Sequence, residues 1–84
     1  MKLFLEKDIK KMVDYKFFKS SFVYKNKGLY RVYFVDSNNY KYSILKFNSN
    51  NETRSFKNLE SACNKLFSMK INRFEVIDED LLSC

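Results

Sequence analysis

The sequence predicts an α+β fold, an α-β-β-β-α-β two-layer sandwich in which an antiparallel sheet carries its helices on one face. Three observations predict it. Two stretches space their apolar residues as one face of a helix, and the runs between them alternate apolar with polar as strands do. The segments joining the first strands are too short for anything but hairpin turns, which makes those strands antiparallel neighbours.

From Leu5 to Phe17 the apolar positions are 5, 9, 12, 13 and 17, with Lys7, Lys10, Lys11 and Asp14 mostly on the other side. This spacing predicts an amphipathic helix, with Glu6 and Asp8 in its first turn and Lys16 and Lys19 near its end to suit the helix dipole. The alternative at its start is a short strand over Lys2–Leu5, with Asp8 capping the helix. Strands are expected near Ser21–Lys25, Leu29–Asp36 and Tyr40–Phe47, followed by the polar loop 48–52. Asn58 then caps a second helix with apolar residues at Leu59, Ala62, Cys63, Leu66 and Phe67, and Phe56 pins its start to the sheet. Ile71–Ile77 alternates as a fourth strand, with Phe74 and Val76 inward.

Gly28 is the one glycine of a chain without proline, and it sets the expected register. Asn26, Lys27 and Gly28 are read as a three-residue loop whose third position takes positive φ. Lys25 then faces Leu29, Tyr24 faces Tyr30, Val23 faces Arg31 and Phe22 faces Val32. A second three-residue loop, with Asn39 left-handed, sets Phe34 opposite Tyr42 and Val32 opposite Ile44. The core face is then Phe22, Tyr24, Tyr30, Val32 and their partners. The other face, carrying Lys25, Arg31, Tyr33, Val35, Lys41, Ser43, Leu45 and Phe47, is too charged for a core and too apolar for an idle surface.

A chain of 84 residues makes one domain that buries roughly 60% of its unfolded surface, and nine Phe and six Tyr predict an aromatic core. No apolar run approaches a membrane span and Met1–Leu5 is too short for a signal peptide, so a soluble protein of the cytoplasm is expected. Cys63 reads as a small buried hydrophobe and Cys84 as a free thiol. Residues 1–74 carry all 16 Lys and Arg against six of the ten acids; residues 75–84 carry Glu75, Asp78, Glu79 and Asp80 and no base. The expected organisation is therefore a basic domain over 1–77 and an acidic tail over 78–84 that folds back and competes for the domain's partners.

The absence of histidine removes imidazole chemistry, and one glycine cannot build a nucleotide-binding loop. The two cysteines have no ligand spacing and the carboxylates 78–80 read as a solvated run, so no catalytic residue, metal or cofactor is expected. Nucleic-acid contact needs cations for phosphates and flat side chains for bases. Lys25, Lys27, Arg31, Lys41, Arg54 and Lys57 are the expected phosphate contacts and Tyr33 the stacking ring. Val35, Leu45 and Phe47 mark an alternative protein interface, for a host enzyme or a second copy of the chain.

Three resemblances accompany this reading. Tyr30–Lys65, with its hairpin and the helix start Ser55–Ala62, is similar in element order to three-strand-plus-helix nucleic-acid modules such as double-stranded-RNA-binding domains, although only Lys57 stands where those carry a lysine pair. Gly28–Val35 resembles the central hairpin of RelE-type mRNA-cleaving toxins, which implies an enzyme working with Lys, Arg and Tyr. The basic, glycine-poor profile, typical of an AT-rich genome, resembles accessory proteins of T-even-type phages, including inhibitors of a host endoribonuclease toxin. That profile implies a non-enzymatic, antitoxin- or anti-defence-like inhibitor acting by occlusion, on RNA more than DNA and with a host nuclease or toxin as possible partner.

Overall fold

A computed structural model describes residues 1–82; Cys84 lies outside the described residues. Its elements are β1 (Lys2–Phe4), α1 (Glu6–Asp14), β2 (Phe18–Asn26), β3 (Leu29–Asp36), β4 (Lys41–Ile44), α2 (Leu59–Ser68), β5 (Glu75–Asp78) and α3 (Glu79–Leu82). They form the expected α+β architecture around a five-stranded sheet in the order β1-β4-β3-β2-β5.

The sheet is mixed rather than antiparallel. The hairpins β2–β3 and β3–β4 are antiparallel, whereas β1 pairs with β4 and β5 with β2 in parallel. Parallel partners must be reached by a crossover, and here the crossovers run through α1 and α2. The strand over Lys2–Phe4 and the helix starting at Glu6 both exist, with Leu5 between them. The boundary drawn at residue 77 falls inside β5, and a helical turn follows it.

The first hairpin corrects the expected register by one residue. Asn26 pairs with Leu29 and Val23 with Val32, leaving a two-residue loop. Lys27 (φ 54°) and Gly28 (φ 76°) are both left-handed, as the two central residues of a type I′ turn must be. A one-residue slip turns over the whole strand, so Val23 enters the core while Phe22 and Tyr24 move to the opposite face. The second hairpin keeps its expected register, with Phe34 opposite Tyr42 and Asn39 left-handed at φ 68°.

Val23, Val32, Phe34, Tyr42 and Ile44 of the sheet pack against Ile9 of α1 and Ala62 and Leu66 of α2, with Phe56 and Met69 closing the layer. Asn58 caps α2 by accepting from the Ser61 N–H at 2.8 Å. Phe56 exchanges two backbone hydrogen bonds with Tyr30, which holds the approach to α2 against β3. Cys63 is half-buried, and Phe67 lies 52% exposed, so the buried stripe of α2 is narrower than its apolar pattern. Val76, expected inward, is 47% exposed because β5 is an edge strand. Both long helices end through a lysine in left-handed backbone, Lys16 after α1 and Lys70 after α2, where glycine-rich chains place glycine.

Candidate nucleic-acid interface

Both long helices, α1 and α2, contribute their buried residues to one side of the sheet, which leaves the opposite side clear of them. Strand alternation and the observed register place Phe22 and Tyr24 of β2, Arg31, Tyr33 and Val35 of β3, and Lys41 and Ser43 of β4 on that open side. Leu3 of β1 and Ile77 of β5 extend it toward the two edges.

Three rings make its centre. Phe22 and Tyr33 are directly opposed across β2 and β3 and stack at 5.2 Å with 24° between planes. Tyr24 meets Tyr33 edge-on at 6.0 Å. Phe22, Tyr24 and Tyr33, with Lys41 and Ile77, line a depression of about 250 Å³. Burial pushes the Tyr33 phenol above the ordinary tyrosine range; Arg31 opposes that rise and Tyr24 adds to it. The phenol is therefore neutral at physiological pH and adds no negative charge to a face with Arg31 and Lys41 on it. Ser43, in register between Leu3 and Tyr33, is fully buried and donates to the Val32 carbonyl at 2.6 Å, which ties the two central strands together under the rings.

The expected phosphate contacts do not all meet on this face. Arg31 and Lys41 do, beside Tyr33. Lys25 shares the face of Val23 instead, because the two-residue turn reverses β2. It lies within 5.5 Å of the Tyr30 ring and within 3.9 and 4.0 Å of the carboxylates of Asp78 and Asp80. Lys27 occupies the turn itself, where its N–H and that of Gly28 donate to Asp80 at 2.7 and 3.0 Å. Those two amides hold the Asp80 carboxyl below the usual aspartate range. Asp78 and Asp80, at the start of the tail, thus sit against the hairpin tip.

Arg54 is committed to the helix side. It donates to Glu6 at 2.7 Å and its guanidinium lies over Phe56 at 5.1 Å. Lys65 donates to the other Glu6 oxygen at 3.0 Å. Desolvation raises the Glu6 carboxyl, but Lys65 and Arg54 together outweigh it and lower its pKa. Lys57 is exposed, just ahead of the Asn58 cap and remote in the chain from the rings. Of the protein-interface residues, Val35 lies on the open face, whereas Leu45 and Phe47 follow the end of β4 and line a separate depression with Leu5, Glu6, Lys7 and Arg54. Phe47 is 85% exposed there.

Phe22 and Tyr24 are the ring residues that sequence reasoning set on the wrong face. The signal for them was the Lys27–Gly28 dipeptide read as a two-residue turn, which pairs the small β-branched Val23 and Val32 and leaves the amphipathic rings outside. Among the described residues no group of His, Cys, Asp and Glu side chains is arranged to hold a metal ion, and no helix is long and apolar enough to cross a membrane. No protein-family model, curated protein or solved structure matches the chain.

Proposed function

We propose that the protein is a small, non-enzymatic binding protein for single-stranded nucleic acid, RNA in preference to DNA, that acts as a regulator or inhibitor by occluding the strand. The observation that carries this reading is the Phe22–Tyr33 stack with Tyr24 against its edge, set between Arg31 and Lys41 on the sheet face away from α1 and α2. Flat rings on an open sheet offer stacking platforms to unpaired bases, and neighbouring cations neutralise the phosphates between them. Stacking of this kind requires bases that are free to splay, which a duplex does not supply. The phage-type inhibitor profile fits such a role, in the cytoplasm of a host cell.

A second reading rests on Phe47. A phenylalanine 85% exposed beside Leu45 and Leu5 suits capture of a protein partner, such as a host nuclease or toxin, away from the rings.

Titration of single-stranded RNA, single-stranded DNA and duplex RNA across a salt series tests the proposal. Single-stranded RNA is expected to bind tightest, with a log–log salt slope that becomes shallower in Arg31→Glu and Lys41→Glu. Absence of single-strand binding at low salt defeats the reading, and loss of partner capture in Phe47→Ser without change in RNA affinity supports the second.

A further inference from the structure

β5 covers only part of β2. Their pairing begins at Phe22 opposite Glu75, while β2 itself begins at Phe18. Among the described residues, residues 18–21 therefore have β3 on one side and no strand on the other. Two adjoining depressions, of about 150 and 400 Å³, occupy this seam, and Lys19, Ser20, Ser21 and Arg73 line both.

The seam's chemistry is that of an anion site. A β-bulge between Phe18 and Ser20 sets Lys19 out of register; Phe18 turns to the core and Ser20 to the open face. Lys19 is steadied by a hydrogen bond from its ammonium to the Asn39 side chain. Ser21, opposite Phe34, is 8% exposed and directs its side chain to the core side. Arg73 is exposed and makes no ion pair among the described residues. Arg73, Lys19 and Ser20 line one groove, and a guanidinium, an ammonium and a hydroxyl are donors that a phosphate group takes. Glu75 stands at its rim as the one carboxylate.

Phe22 links the seam to the rings, because it lines both the Arg73 groove and the depression over Tyr24 and Tyr33. We infer that the seam of Lys19, Ser20, Ser21 and Arg73 binds a phosphate group, that of the nucleotide stacked on Phe22 when the ligand is a nucleic acid. This rests on the proposed single-strand function for the identity of the ligand, and on the groove alone for its chemistry. The strand then runs from Lys41 across Tyr33 and Phe22 and leaves the sheet at Arg73.

The experiment has two arms on the whole chain. In the first, a short oligouridylate is titrated across a salt series into the wild type, Arg73→Ala, Arg73→Lys and Phe22→Ala. Arg73→Ala is expected to weaken binding several-fold and to flatten the slope by about 0.7, the share of one single-strand phosphate. Arg73→Lys restores the slope, and Phe22→Ala weakens binding with the slope intact. In the second arm, inorganic pyrophosphate is titrated while the backbone amide resonances of Lys19, Ser20 and Ser21 are followed. Shifts there, lost in Arg73→Ala, support the seam as a phosphate site even where the oligonucleotide fails to bind, an outcome that would defeat the single-strand function alone. Wild-type affinity and slope in Arg73→Ala, or amides unmoved by pyrophosphate, overturn the inference and leave the ring face untouched.

Discussion

The carboxylate of Asp80 accepts hydrogen bonds from the N–H groups of Gly28 and its neighbour Lys27, joining the end of the described chain to a turn 52 residues earlier. In a two-residue type I′ loop these amides have no partner within the hairpin's own ladder, and a carboxylate satisfies both at once. The turn, the register of β2 and the identity of the open face are thus fixed partly by a residue far along the chain.

Asp80→Ala is expected to release this latch without unfolding the sheet, because β5 remains paired with β2. Amide exchange at Lys27 and Gly28 should quicken while that at Val23 and Val32 stays slow. The wild-type contact is also pH-dependent, since the folded pKa of Asp80 is lowered, first by Gly28 and then by Lys27. Its stabilisation is complete above the ordinary aspartate range and disappears as pH falls through the lowered value. Protection at the two amides that persists unchanged in acid speaks against the latch.

Backbone strain offers a second check. Gly28 at φ 76° has open space where a Cβ would stand, so Gly28→Ala costs only the left-handed penalty, about 1 kcal/mol. The reverse change applies at Lys16 and Lys70, which end the two helices at φ 57° and 65°. Lys16→Gly and Lys70→Gly should each stabilise by roughly 0.5–1 kcal/mol, or a few degrees in Tm for a domain of this size. Thermal unfolding of the three variants decides, and a Tm lowered by either lysine replacement contradicts the assignment.

What was legible in the sequence follows from where each signal resides. Helix α2, its Asn58 cap and the Asn39 turn are written in residues within a few positions of one another, and the structure has them. The parallel pairings of β1 and β5 join segments with no hairpin between them, so no local pattern announces them. Gly28 is compatible with both a two- and a three-residue loop; parity does the rest, sending Phe22 and Tyr24 to one face or the other. Arg31, Tyr33 and Lys41 were placed correctly because their register depends on the second turn alone. Lys25 and Arg54 looked like free cations in sequence, and their acidic partners Asp78, Asp80 and Glu6 come from distant elements.

The corrected register can be weighed directly by paired truncations. Val23 is fully buried opposite Val32, so Val23→Ala should cost roughly 2–3 kcal/mol through lost transfer energy and a cavity. Phe22 is half-buried on the open face, and Phe22→Ala should cost about 1 kcal/mol, well under the 3–5 typical of a core phenylalanine. Denaturant unfolding that reverses this order restores the three-residue loop.

Asp36 supplies a second pH signature. It is 4% exposed and accepts from the Tyr42 hydroxyl at 2.8 Å and from the Asn38 and Tyr40 amides at 2.9 and 3.0 Å. Burial raises its pKa, but the Tyr42 hydroxyl and the two amides, helped by the charge of Lys2, outweigh burial and hold it below the usual value. The same hydrogen bond, with burial and the Asp36 charge, raises the Tyr42 phenol. A lowered aspartate contributes stability that is complete above its unfolded pKa and lost as pH falls through the folded one. Asp36→Asn should therefore lower Tm at neutral pH and give a shallower decline in acid than the wild type. Parallel acid limbs would show that the carboxylate contributes nothing through its charge.

The rings and the cations of the open face should separate cleanly in binding. Tyr33 stacks on Phe22 at 5.2 Å and meets Tyr24 edge-on, so it is the ring whose loss disturbs the whole platform. Tyr33→Ala should weaken single-strand binding by about 1–3 kcal/mol, the worth of one stacked base, while leaving the salt slope unchanged. Tyr33→Phe should retain most of the affinity, because a neutral phenol contributes its π-face rather than charge. Arg31→Ala should instead flatten the slope by about 0.7 as one phosphate contact is lost. If Tyr33→Ala binds as the wild type does while Arg31→Ala loses affinity, the face attracts phosphate without reading bases, and the strand lies elsewhere on the basic surface.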